Sequence, residues 1–77
     1  MSKSRSGRLR VLSGRDVCRI LAANGFVEVR RRGSHAVMQR TLATGTVTIP
    51  VPDHAELRAG TLRSIVRQSG LPRSSFE

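Results

Sequence analysis

Apolar residues recur along this chain first at a helical spacing and then at a strand spacing. Val17, Ile20 and Leu21 stand at i, i+3 and i+4, which places them on one face of a helix, with Arg15 and Arg19 on other faces. Ser13 can cap that helix, and Asp16 three residues later sets a carboxylate beside its exposed N–H groups. Gly25 after Asn24 supplies the left-handed residue that ends it. From Phe26 to Arg32 the period becomes two, Val27 and Val29 alternating with Glu28 and Arg30. Gly33-Ser34 marks a turn, and His35 to Arg40 continues as a second strand. There Ala36 and Met38 take one side, and His35, Val37 and Gln39 the other. A further turn near Ala43-Thr44-Gly45 leads to a third strand, in which Val47 and Ile49 alternate with Thr46 and Thr48. Pro50 and Pro52 are expected to end it, because proline cannot donate to a ladder. Residues 53–59 read as irregular. A second amphipathic helix is expected from Gly60 or Thr61 to Ser69, burying Leu62, Ile65 and Val66 and stopping at Gly70. Leu71 and Phe76 then fold back on the core, with a short helical turn near residues 72–74.

The predicted order is α-β-β-β-α, an α+β fold. Its three-stranded antiparallel sheet hides one face under two helices and leaves the other wet. The wet face carries His35 and several arginines. Residues 11–77 form one domain, and residues 1–10, rich in Ser and Gly, read as a flexible basic arm. A 77-residue chain buries only about 60% of its unfolded surface. Any site is therefore expected to be shallow.

Charge sharpens the picture. Fourteen Lys and Arg face five acids, a formal net charge of +9. Lys3, Arg5, Arg8 and Arg10 account for four of the bases, so residues 11–77 keep ten bases against five acids, or +5. A positive field on so small a domain suits a polyanion, or an acidic protein that covers the same surface. The single Cys18 excludes an intramolecular disulfide and points to a reducing, cytoplasmic setting. No apolar run approaches the roughly 20 residues that span a bilayer, so no membrane is expected.

Four elements in order carry a family likeness: Asn24-Gly25-Phe26, Gly33-Ser34-His35, Ile49-Pro50-Val51-Pro52-Asp53-His54, and Gly60-Thr61-Leu62 with Ile65. In this combination the chain resembles the HicA (YcfA-like) mRNA interferases, toxins of bacterial toxin–antitoxin pairs, over about residues 12–76. The resemblance implies a double-stranded RNA-binding-domain-like fold, mRNA as substrate, an acidic antitoxin of the HicB type over the basic face, and a catalytic role for His35. The sequence departs from that family's pattern in having Ala36-Val37-Met38 where an aromatic is common. Its only aromatics, Phe26 and Phe76, are better used in the core. Arginine planes would then replace aromatic rings against bases.

The chemistry behind His35 stands apart from the likeness. RNA carries its own nucleophile, the 2′-hydroxyl, so cleavage needs a base to take that proton and positive charge for the phosphate. Imidazole is the side chain that exchanges protons near neutral pH. Five scattered acids offer no clustered carboxylates of the kind Mg²⁺ chemistry uses, so neither metal nor cofactor is expected. Arg30, Arg31, Arg32 and Ser34 are the candidate phosphate contacts, Arg40 and Arg63 weaker ones. Alternation sets Arg31 opposite Arg30 and Arg32, so the three do not serve one site. Each arginine can equally be a solvated strand charge. His54 is either an auxiliary acid–base partner of His35 or a histidine that fixes its loop. Two alternatives to an endoribonuclease share this fold: a non-catalytic RNA-binding module, and a basic domain that docks an acidic protein.

Overall fold

The computed structural model describes residues 11–77; the basic arm expected at 1–10 lies outside them. The order is α1 (Gly14–Ala23), β1 (Val27–Arg32), β2 (His35–Leu42), β3 (Gly45–Pro52), α2 (Ala59–Ser69) and a closing 3₁₀ turn (Arg73–Phe76). The strands pair antiparallel in the order β1-β2-β3.

Local chemistry sets the start and end of α1. The Ser13 hydroxyl accepts from the Asp16 N–H at 3.0 Å, and the Asp16 carboxylate accepts from the Ser13 N–H at 3.0 Å. This reciprocal box satisfies two donors that a helix start leaves open. At the other end the Asn24 side chain donates to the Ile20 carbonyl at 2.8 Å. Gly25, at φ +91°, then turns the chain into β1.

Both helices pack on one face of the sheet. Val17 and Leu21 of α1 and Leu62 and Ile65 of α2 meet Met38, Ile49 and Val51 from the strands, with Phe26 and Phe76 filling the ends. Leu71 packs against this cluster, and Phe76 is 1% exposed, so the tail does fold back on the core. Full burial of one such side chain contributes about 1.5–3 kcal/mol. Leu12 and Leu57 close the remaining side, joined by the Leu57 N–H donating to the Leu12 carbonyl at 2.8 Å.

Three expectations need correction. Pro50 and Pro52 do not end the third strand; β3 runs through both. It has a partner on one side only, so a residue whose N–H would face outward loses no ladder bond by being proline. The alternation expected through Val27–Arg32 breaks at Val29. Glu28 lies opposite Met38, but Arg30 lies opposite Val37, so Val29 is an extra residue in the ladder. Val27 and Val29 are 62% and 46% exposed and supply no core. Finally, α2 begins at Ala59, one or two residues earlier than the pattern suggested.

The bulge decides where the arginines point. Unbroken alternation would put Arg30 and Arg32 on the helix side with Glu28. The extra residue turns them to the open face, beside Val37 and His35, and turns Arg31 toward the helices with Ala36.

Candidate catalytic face

The hairpin between β1 and β2 presents His35. Gly33 adopts φ +58°, a left-handed conformation, and a Cβ there would meet nothing within 4 Å. Glycine is thus required by the backbone and not by crowding. His35 opens β2, with Arg32 its register partner on β1 and Pro52 on β3. Beyond the strands, the Asp53 N–H donates to the Ser34 carbonyl at 2.7 Å. The His54 carbonyl accepts from the Gly14 N–H at 2.9 Å, tying the loop to the start of α1. On the helix side the Arg31 guanidinium bridges Asp53 at 3.4 Å and Glu28 at 3.5 Å. The backbone at His35 is therefore held from both sides.

Its ring is not. His35 is exposed, and among the described residues no hydrogen bond or ion pair engages the imidazole. Arg30 and Arg32, also exposed and without ion pairs among the described residues, share its face. Val37, between Arg30 and Pro50 in the register, is 7% exposed and forms the apolar floor next to His35.

The remaining candidates fall elsewhere. Arg31 is on the helix side and ion-paired. Arg40 faces Val47 in the register and lies on the helix side as well; a Cβ on Gly25 would sit 3.4 Å from its Nε, so it covers the end of α1. Ser34 is exposed in the turn and gives its carbonyl, not its hydroxyl, to the local network. His54 is exposed two residues past Pro52; its backbone fixes the loop, and its ring makes no hydrogen bond or ion pair among the described residues. Alternation in the sequence already separates Arg30 and Arg32 from Arg31; what it does not show is the bulge at Val29, which leaves Val27 on the open face with them and Glu28 on the helix side.

A groove of about 410 Å³ lies between α1 and β1 on the helix side, floored by Phe26, Ala36, Met38 and Val51. Its rim arginines Arg15, Arg19 and Arg31 are opposed by Glu28 and Asp53 of the same rim and by Asp16, which pairs with Arg19 at 3.0 Å. Its charge is balanced. Cys18 lines it, with its thiol pushed up chiefly by burial and further by Glu28 and Asp53. A thiol held protonated is a poor nucleophile. Among the described residues, no three His, Cys, Asp or Glu side chains gather where a metal ion could be held.

Fold and face together define a class: a small α-β-β-β-α domain with an uncovered cationic sheet face and a histidine at its hairpin. The chain belongs to the family described as HicA toxin of bacterial toxin-antitoxin, which matches residues 14–71, from the first residue of α1 to just beyond α2. Comparison with curated proteins and with solved structures found no match. The four sequence elements that carried the likeness map onto the end of α1, the His35 turn, the end of β3 with its loop, and the start of α2. A toxin of this family implies an antitoxin partner. No helix among the described residues is long and apolar enough to cross a membrane.

Proposed function

We propose that this toxin is an endoribonuclease that cleaves mRNA without a metal ion, using His35 as general base. The observation that supports this reading most is an uncovered imidazole beside Arg32 and near Arg30 on one open face. His35 takes the proton of a ribose 2′-hydroxyl. The O2′–P bond forms as the P–O5′ bond breaks, leaving a 2′,3′-cyclic phosphate, and the departing 5′-oxygen takes its proton from water or from the protonated ring. Arg30 and Arg32 hold the non-bridging oxygens and stabilise the charge that grows on them. His54 is the second-proton candidate.

An acidic HicB-like antitoxin that covers this face would silence the toxin by occluding His35 and meeting its positive field. The reaction and its control would both take place in the cytoplasm. Expression of wild type beside His35→Ala in growing bacteria tests the reading. Growth arrest and fragmented mRNA from wild type alone are expected; equal arrest from both would remove His35 from the mechanism. RNA retained intact by wild type would instead indicate a binding module.

A further inference from the structure

A second depression lies on the far side of the helical layer from His35. Arg63 and Arg67 of α2 and Arg73 of the 3₁₀ turn surround it, over Val66, and its volume is about 190 Å³. α2 buries Leu62, Ile65 and Ser69, so Arg63 and Arg67, both exposed, project away from the core. They stand four residues apart on one helix, where like charges oppose helix formation. Among the described residues none of the three arginines has an ion pair, in contrast to Arg19 and Arg31 at the larger groove. Arg67 in the last turn of α2 suits the helix dipole. That accounts for one of the three and leaves the convergence of Arg63 and Arg73 on the same dent unexplained.

We infer that Arg63, Arg67 and Arg73 form a phosphate-binding site for the RNA backbone, separate from the face that cuts. Guanidinium forks take phosphate oxygens two at a time. The two non-bridging oxygens of a phosphodiester diverge tetrahedrally and share one charge, so forks reach them from several directions, whereas both oxygens of a carboxylate lie in one plane. Since the patch and His35 occupy opposite sides of the domain, the patch holds a different stretch of RNA from the one cleaved. It raises the hold on folded transcripts and so acts on KM, leaving kcat at saturating RNA unchanged. The inference rests on the reading that RNA is the substrate.

The test compares the full chain carrying His35→Ala, which leaves RNA intact, with the same chain carrying R63Q, R67Q and R73Q as well. Binding to an RNA hairpin with a single-stranded tail is followed by fluorescence anisotropy from about 50 to 200 mM salt. Each single-strand phosphate contact contributes about 0.7 to the slope of log affinity against log salt. The dent holds one phosphate, so losing it lowers the slope by about 0.7, and the affinity lost across that salt range shrinks about 2.6-fold. Weaker binding with this flattened slope, in a triple variant of unchanged circular dichroism, is expected. RNA binding and slope that ignore the three substitutions would sink the site. So would a triple variant that loses affinity for the acidic antitoxin while its RNA binding and salt slope stay at the parent's values. Intact RNA after incubation with the wild-type chain would overturn the cleavage reading and leave this binding result standing.

Discussion

Replacing Gly14 by alanine gives a sharp test of how the site is anchored. In most helices this change stabilises, by about 0.5–1 kcal/mol, because alanine loses less freedom on folding. Gly14 is buried at the start of α1, and its N–H donates to the His54 carbonyl at 2.9 Å. A Cβ there would land on the Pro52 carbonyl oxygen, 3.0 Å from that carbonyl carbon and 3.2 Å from the Asp53 Cα. All three are backbone atoms and cannot rotate aside. Forcing extra volume into packed structure costs about 1–3 kcal/mol, and a strained or lost hydrogen bond adds about 0.5–1.5 kcal/mol. Net destabilisation of about 2 kcal/mol follows, which for a domain of this size lowers Tm by roughly 8–16 °C. Circular dichroism during heating is the assay, since the chain has no Trp or Tyr to report by fluorescence. Gly60→Ala is the control: it lies in the first turn of α2, and a Cβ there meets nothing within 4 Å. That change should stabilise by about 0.4–1 kcal/mol. A Gly14→Ala protein that melts at or above wild type would refute the close approach of α1 to β3.

Further expectations concern the two faces and the local electrostatics. Arg30→Gln and Arg32→Gln should each lower kcat/KM on RNA about 10- to 100-fold, the worth of a charged hydrogen bond of about 1.5–3 kcal/mol. Arg31→Gln and Arg40→Gln, on the helix side, should change it less than about 3-fold on the same scale, and equal losses from all four would contradict the bulged register. Asp16 is held below its ordinary value of 3.8, first by the Ser13 N–H and then by the Ser13 hydroxyl and Arg19. A depressed carboxylate stabilises the fold fully above its unfolded pKa and loses that contribution as pH falls through the folded one. Acid unfolding of Asp16→Asn should therefore show less loss of stability at the low-pH end than wild type, measured as Tm against pH. Cys18 should alkylate more slowly at neutral pH than an unfolded cysteine, because burial raises its thiol; an equal rate in a native-state iodoacetamide assay would count against the packed groove.

What could be read from sequence was what local chemistry determines. The box of Ser13 and Asp16 and the i, i+3, i+4 spacing of Val17, Ile20 and Leu21 define α1 without reference to any other element. The uncovered His35 followed from alternation within one hairpin, since Ala36 and Met38 claim the side that packs. What escaped depends on neighbours. Val-Glu-Val satisfies a period of two perfectly well, and only the register against β2 shows that Val29 is extra. Prolines at 50 and 52 stop a central strand but not an edge one, and a strand's place in the sheet is not written in its own residues. The convergence of Arg73 with Arg63 and Arg67 likewise needs the chain's return after Gly70.

The proposed mechanism turns on a proton moved by one exposed ring, that of His35. Purified wild type and His35→Ala should be incubated with the same end-labelled mRNA in EDTA, and the product termini identified by mass spectrometry. Fragments ending in 2′,3′-cyclic phosphate are expected from wild type, and intact RNA from the variant. Equal fragmentation by both proteins, or cleavage by wild type that EDTA abolishes, would contradict it.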